Sequence, residues 1–336
     1  MKRKYEIERA PAPSFSGFSV KVEPKKKTKS CTIEERQLNT FKQSILYVSE
    51  EEHARIVNLE QHFDDAEQTT NPEWLDARTH RVTGSAVANV VHVNPYEGKL
   101  VYLKSKLWPQ EMDERGKQNC RYGNLNEPVA EQCFEAYMML QIGELTNDDD
   151  GAILDGVEVT NLGLYICKKP SYGCLGMSPD GILTMTWKRA DGSTYTTQDL
   201  IEYKCPSSWK KLIQRGDGHM YKMEYLPPNR HVSLGGGPVP GSLPRKWYPC
   251  PPYYFTQVQY GMELFRISGM PLRQAYFVVW SPSETEVTVI PRDQAYGNFL
   301  VEEAKKFWTD LYAPRYLLKQ NGQLCENEID VSITIE

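Results

Sequence analysis

The stretch GMSPDGILTMTWKRADGSTYTTQDLIEYKCP, Gly176 to Pro206, constrains this chain more than any other. Ile182–Trp187 and Leu200–Cys205 are strand-like runs, and the Asp-Gly pair in ADGSTY between them suits a turn. Yet Asp180 stands just before the first run, and Glu202 and Lys204 interrupt the second. Side chains alternate along a strand, so Leu200, Glu202 and Lys204 share one face while Ile201, Tyr203 and Cys205 share the other. Glu202 and Lys204 are then neighbours, ~7 Å apart at the backbone. Ser178-Pro179 and Gly181 form a turn that brings Asp180 to the same point.

Each of these groups has a chemical use. Asp180 and Glu202 offer hard oxygen ligands suited to Mg²⁺, and the Tyr203 carbonyl lies between them. Lys204 could orient an attacking water or stabilise charge on a phosphate. A surface hairpin carrying an ion pair is the competing reading, because D…ExK alone is short and degenerate.

The remainder of the chain supplies matching parts. From Trp74, WLDARTHRVTGSAVANVVHV ends in a short apolar helix that begins near Thr83 to Ser85. In YGNLNEPVAEQCFEAYMML, Asn126 reads as an N-cap with Pro128 in the first turn, which puts Glu127 at the positive end of a helix. Its apolar stripe reads as Val129, Cys133, Phe134 and Tyr137. Leu162–Cys167 reads as a further strand. A helix over about Tyr253–Ile267, strands at Gln274–Trp280 and Glu286–Ile290, and a final helix over about Asp293–Tyr312 complete an α/β or α+β domain over 71–336. Residues 220–252, rich in Pro and Gly, read as a long insertion. Residues 31–70 read as a helical N-terminal extension in which Ser49 and Glu52 form a capping box. Residues 1–30 read as a disordered basic tail, with nine Lys and Arg against three Glu. Its PKKKTK, Pro24–Lys29, reads either as a nuclear-import signal or as a solvated linker.

The net charge of −5 leaves the chain beyond residue 30 acidic, so any nucleic-acid contact there needs a local patch. No run approaches the roughly 20 apolar residues of a membrane helix, which points to an intracellular protein without a membrane partner. The eight cysteines lack metal-site spacing and read as reduced thiols.

Four patches resemble the lambda-exonuclease/YqaJ-type viral recombinases of the PD-(D/E)XK nuclease superfamily. They are WLDARTHRVTGSAVANVV, YGNLNEPVAEQCFE, SPDG with IEYKCP, and YYFTQVQYGM, in the family's order. The resemblance implies a PD-(D/E)XK restriction-endonuclease-like core, a central mixed β-sheet flanked by helices. It implies metal binding by Asp180, Glu202, the Tyr203 carbonyl and Glu127, with Mg²⁺ or Mn²⁺ as the ion, and a catalytic Lys204. Arg78, Ser85, Ser178 and Gln257 match positions that grip the 5′-phosphate of a DNA end. Arg81 competes with Arg78 for that role, Ser85 reads equally as a plain helix-start residue, and Gln257 lies near the core boundary. Lys210, Lys211 and Arg215 in SSWKKLIQR read either as contacts to a DNA backbone or as a solvated helix face.

The expected activity is a Mg²⁺-dependent 5′-to-3′ exodeoxyribonuclease on duplex DNA ends, leaving 3′ single strands for recombination. A single-strand annealing protein is the expected partner, the nucleus or a viral replication site the expected location, and a homo-oligomer a candidate state. Two rivals remain: a PD-(D/E)XK endonuclease on DNA or RNA, and a silent nucleic-acid-binding module on the same fold.

Overall fold

The computed structural model describes residues 33–59, 71–207, 250–282 and 285–329, with the backbone of the short strands β7 (Tyr221–Lys222) and β8 (Trp247–Tyr248). The basic tail, most of the 220–252 insertion, and Lys210, Lys211 and Arg215 lie outside the described residues.

The hairpin forms as its pattern requires. Strand β5 (Gly181–Lys188) pairs antiparallel with β6 (Thr194–Lys204), Gly181 opposite Ile201 and Lys188 opposite Thr194. In the turn, Gly192 takes φ +83, a conformation that side chains disfavour, and the Asp191 carboxylate accepts from the Ser193 amide at 2.9 Å. β9 (Gln274–Trp280) lies parallel to β6, and β10 (Thr285–Pro291) folds back on β9. The five-stranded order is β10-β9-β6-β5-β2, where β2 (Ile153–Thr160) forms the edge. The alternation gave no warning of β2. Its ILDGVEVT is half polar because one edge of an edge strand faces solvent, where charges deter further pairing.

Leu162–Cys167 proves shorter than expected. Only β3 (Tyr165–Ile166) is strand, and it joins a separate three-stranded sheet, β1 (Val82–Thr83), β4 (Leu175–Met177) and β3.

Helices cover both faces of the main sheet. On one, Leu200 packs with α4 (Gly84–Val90), α7 (Pro252–Ile267) and α8 (Gln294–Lys306). On the other, Ile201 and Tyr203 pack against α6 (Glu114–Met139). The reading of α6 needs correction. The helix begins twelve residues before Asn126, capped by Asp113, so Pro128 is internal and Glu127 lies mid-helix, away from the positive end. Its buried stripe is Ala130, Phe134 and Met138, whereas Val129, Cys133 and Tyr137 are exposed.

The N-terminal helices α1 (Glu35–Leu46) and α2 (Glu50–Val57) belong to the same compact unit as the sheet. Ser49 caps α2 by accepting from the Glu52 amide at 3.1 Å. Phe41 stacks on Trp308 and Tyr316, and Gly173 donates to the Leu46 carbonyl at 3.1 Å. A Cβ at Gly173 would meet the carbonyls of Ile45 and Leu46, so this close approach requires glycine. The last expected helix becomes α8, a π-helical turn at Phe307–Tyr312, and α9 (Ala313–Gln320). Every cysteine among the described residues is free.

Candidate active site

Pairing of β5 with β6 brings the three charges together. The Asp180 carboxylate accepts from the Tyr203 amide at 2.6 Å, which ties the residue before β5 to the end of β6. Lys204 Nζ donates to Glu202 Oε1 and to the Tyr203 carbonyl at 2.9 Å, and lies 3.9 Å from Asp180. It also sits 5.1 Å from the ring centre of Tyr254. Glu202 is 1% exposed, and its Oε2 has no hydrogen-bond partner.

A buried, unpaired carboxylate oxygen is costly for folding, and this cost is visible in the protonation equilibria. Burial first, then Asp180, pushes Glu202 up to about 7. Burial and Asp180 push Glu127 up to about 8. Burial raises Asp180 too, against Lys204 and the Tyr203 N–H. Burial opposes the charge on Lys204, yet Glu202 and Asp180 hold it above the usual lysine value. The cluster thus holds more carboxyl groups than one ammonium can keep charged. Two carboxylates, one of them with an orphaned oxygen, and a main-chain carbonyl are a donor set that fits a hard divalent cation. Glu127 and Asp180 both line a cavity of about 270 Å³, with Trp74, Ser178 and Glu131. Among the described residues no three His, Cys, Asp or Glu side chains converge tightly enough to hold a metal ion alone.

The expected phosphate-gripping residues divide into two groups. Arg78, from α3 (Pro72–Thr79), donates to Ser178 Oγ at 3.1 Å and lies 4.1 Å over the Trp74 ring. Arg78 and exposed Ser85 line a second cavity, of about 430 Å³. Gln257, by contrast, is buried in α7, and its amide donates to Glu202 Oε1 at 2.5 Å. It orients the carboxylate instead of facing the cavity that Arg78 lines. Arg81 is committed to main-chain carbonyls, those of Gly173 at 2.9 Å and Ala77 at 2.5 Å, so it ties the turn before β4 to α3. Two neighbours of the site went unnoticed in the sequence, Tyr254 beside Lys204 and Lys106 beside Arg78. Tyr254 lies within the YYFTQVQYGM patch, whereas Lys106 belongs to no motif and spatial proximity alone marks it.

No curated protein matches the chain. Residues 73–231 match the family model of the YqaJ-like viral recombinase domain, which spans Arg78, Glu127, Asp180, Glu202 and Lys204 and ends before the Gln257 helix. With the acidic pair where β5 begins and β6 ends, residues 73–231 carry a YqaJ-like viral recombinase domain, of a recombination-related nuclease family with a PD-(D/E)XK-like fold.

Proposed function

We infer that this chain is a divalent-metal-dependent 5′-to-3′ exodeoxyribonuclease that resects duplex DNA ends and leaves 3′ single strands for recombination. The observation that carries the reading is the convergence of Asp180, Glu202, Tyr203 O and Lys204, with Glu202 Oε2 unpartnered, beside an Arg78-lined cavity. Asp180, Glu202 and the Tyr203 carbonyl would hold Mg²⁺ or Mn²⁺, with Glu127 nearby; the ion supplies Lewis-acid polarisation of the phosphate and a stronger water nucleophile. Lys204 brings positive charge to the phosphate on which negative charge develops. Glu127, raised to about 8, can take up or release a proton near neutral pH. Gln257 keeps Glu202 in one orientation, and Arg78 with Ser178 and Ser85 favours a strand end.

End-labelled linear duplex and closed circular duplex, incubated with Mg²⁺, test this directly. The linear substrate is shortened from its 5′ ends, the circle survives, and Asp180→Ala abolishes the shortening. Cleavage of the circle would transfer the reading to an endonuclease, and inertness toward both would leave a binding module.

A further inference from the structure

The 430 Å³ cavity contains more positive charge than Arg78 alone supplies. Lys106, on α5 (Lys99–Leu107), also lines it. Lys106 Nζ reaches the main-chain carbonyl of Arg78 at 3.4 Å, and the ring centres of Tyr312 and Tyr102 lie 5.3 and 5.9 Å away. Neither Arg78 nor Lys106 pairs with a carboxylate among the described residues. Glu97, the acid of this cavity, accepts from Asn89 and, at 3.3 Å, from Ser105. Two mostly buried cations lining one cavity are unfavourable without an anion between or beside them. Burial, then Arg78, pushes Lys106 down to about 7, so the free protein holds that charge at a cost which an anion would relieve.

A terminal phosphate monoester carries about −1.5 to −2 at neutral pH, whereas an internal diester carries a single charge. One cation matches the diester; a monoester calls for two. We propose that Lys106 is the second cation of the strand-end phosphate site and selects a phosphorylated terminus over a hydroxyl one. The proposal rests on the nuclease reading above and adds a specificity residue that its motifs do not contain.

The test measures binding, not turnover, so that it stands apart from the cleavage assay. Affinities of 5′-phosphorylated and 5′-hydroxyl duplexes are compared by anisotropy in EDTA, using the full chain and its Lys106→Met and Lys106→Arg variants. The wild type prefers the phosphorylated end, Lys106→Met lowers that preference about tenfold or more, and Lys106→Arg retains most of it. A wild type without preference, or a preference unchanged in Lys106→Met, overturns the proposal whatever happens to overall affinity. A second measurement needs no variant. The phosphorylated duplex protects Lys106 from acylation near neutral pH and the hydroxyl duplex does not; equal protection by the two also overturns it. Absence of cleavage with Mg²⁺ alongside intact end preference would instead fault the nuclease reading.

Discussion

Glu202→Gln should stabilise the metal-free protein while destroying its activity. Glutamine has the shape of the protonated carboxyl, so the substitution reports the cost of charging this buried position. Folded Glu202 titrates near 7 against an ordinary value of 4.5, because burial and Asp180 disfavour its charge. One pKa unit corresponds to roughly 1.36 kcal/mol, so the charged form costs about 3 kcal/mol of stability above pH 7. The sign follows from proton counting: between pH 4.5 and 7 the folded state holds a proton that the unfolded state has released, so stability falls as pH rises through this window. In EDTA at pH 8, urea unfolding should therefore show the variant about 3 kcal/mol more stable than wild type, and the advantage should shrink to under ~1 kcal/mol at pH 5. Adding Mg²⁺ or Mn²⁺ should raise the stability of wild type and leave the variant nearly unmoved. A variant that is no more stable than wild type at pH 8 in EDTA would refute the reasoning, because the orphaned Oε2 would then be costing nothing.

Arg78→Ala should lose activity selectively on 5′-phosphorylated ends, by tenfold or more for a charge-assisted contact, in kcat/KM measured against hydroxyl ends; equal loss on both would remove the pocket. Gly173→Ala should cost about 1–3 kcal/mol in urea unfolding, because its Cβ meets the carbonyls of Ile45 and Leu46, and should make α1 more open to proteolysis. His53 is buried, with Nε2 2.9 Å from the Ile166 carbonyl, and burial lowers its pKa below the usual 6.5. Its contribution should be complete above pH 6.5 and be lost as pH falls below it, so the thermal midpoint of His53→Gln should decline less steeply between pH 7 and 5 than that of wild type.

The site was partly legible because its central part is local. Asp180, Glu202 and Lys204 lie in one hairpin, where period-two alternation and an Asp-Gly turn determine facing and position within 25 residues. The helix that carries Glu127 was legible in kind but not in extent. Asn126 and Pro128 are start signals, yet the helix runs through them: the Asn126 side chain donates to the Tyr122 carbonyl at 2.7 Å, and burial of Ala130, Phe134 and Met138 holds the segment despite the hydrogen bond that proline cannot make. Packing outweighed a local preference there. The edge strand β2 escaped notice for a related reason, since an edge needs no apolar run.

By itself, then, the order of residues determined the charged hairpin, the face each charge would take and the family motifs around it, all of which depend on neighbours in the chain. Only the tertiary structure decided which distant groups meet: Gln257 with Glu202, Arg78 with Ser178, and Lys106 with Arg78. It also decided that Glu202 keeps one oxygen unpaired. Those outcomes depend on how helices dock across both faces of the sheet, and the burial that docking imposes is what makes a paired or unpaired charge matter.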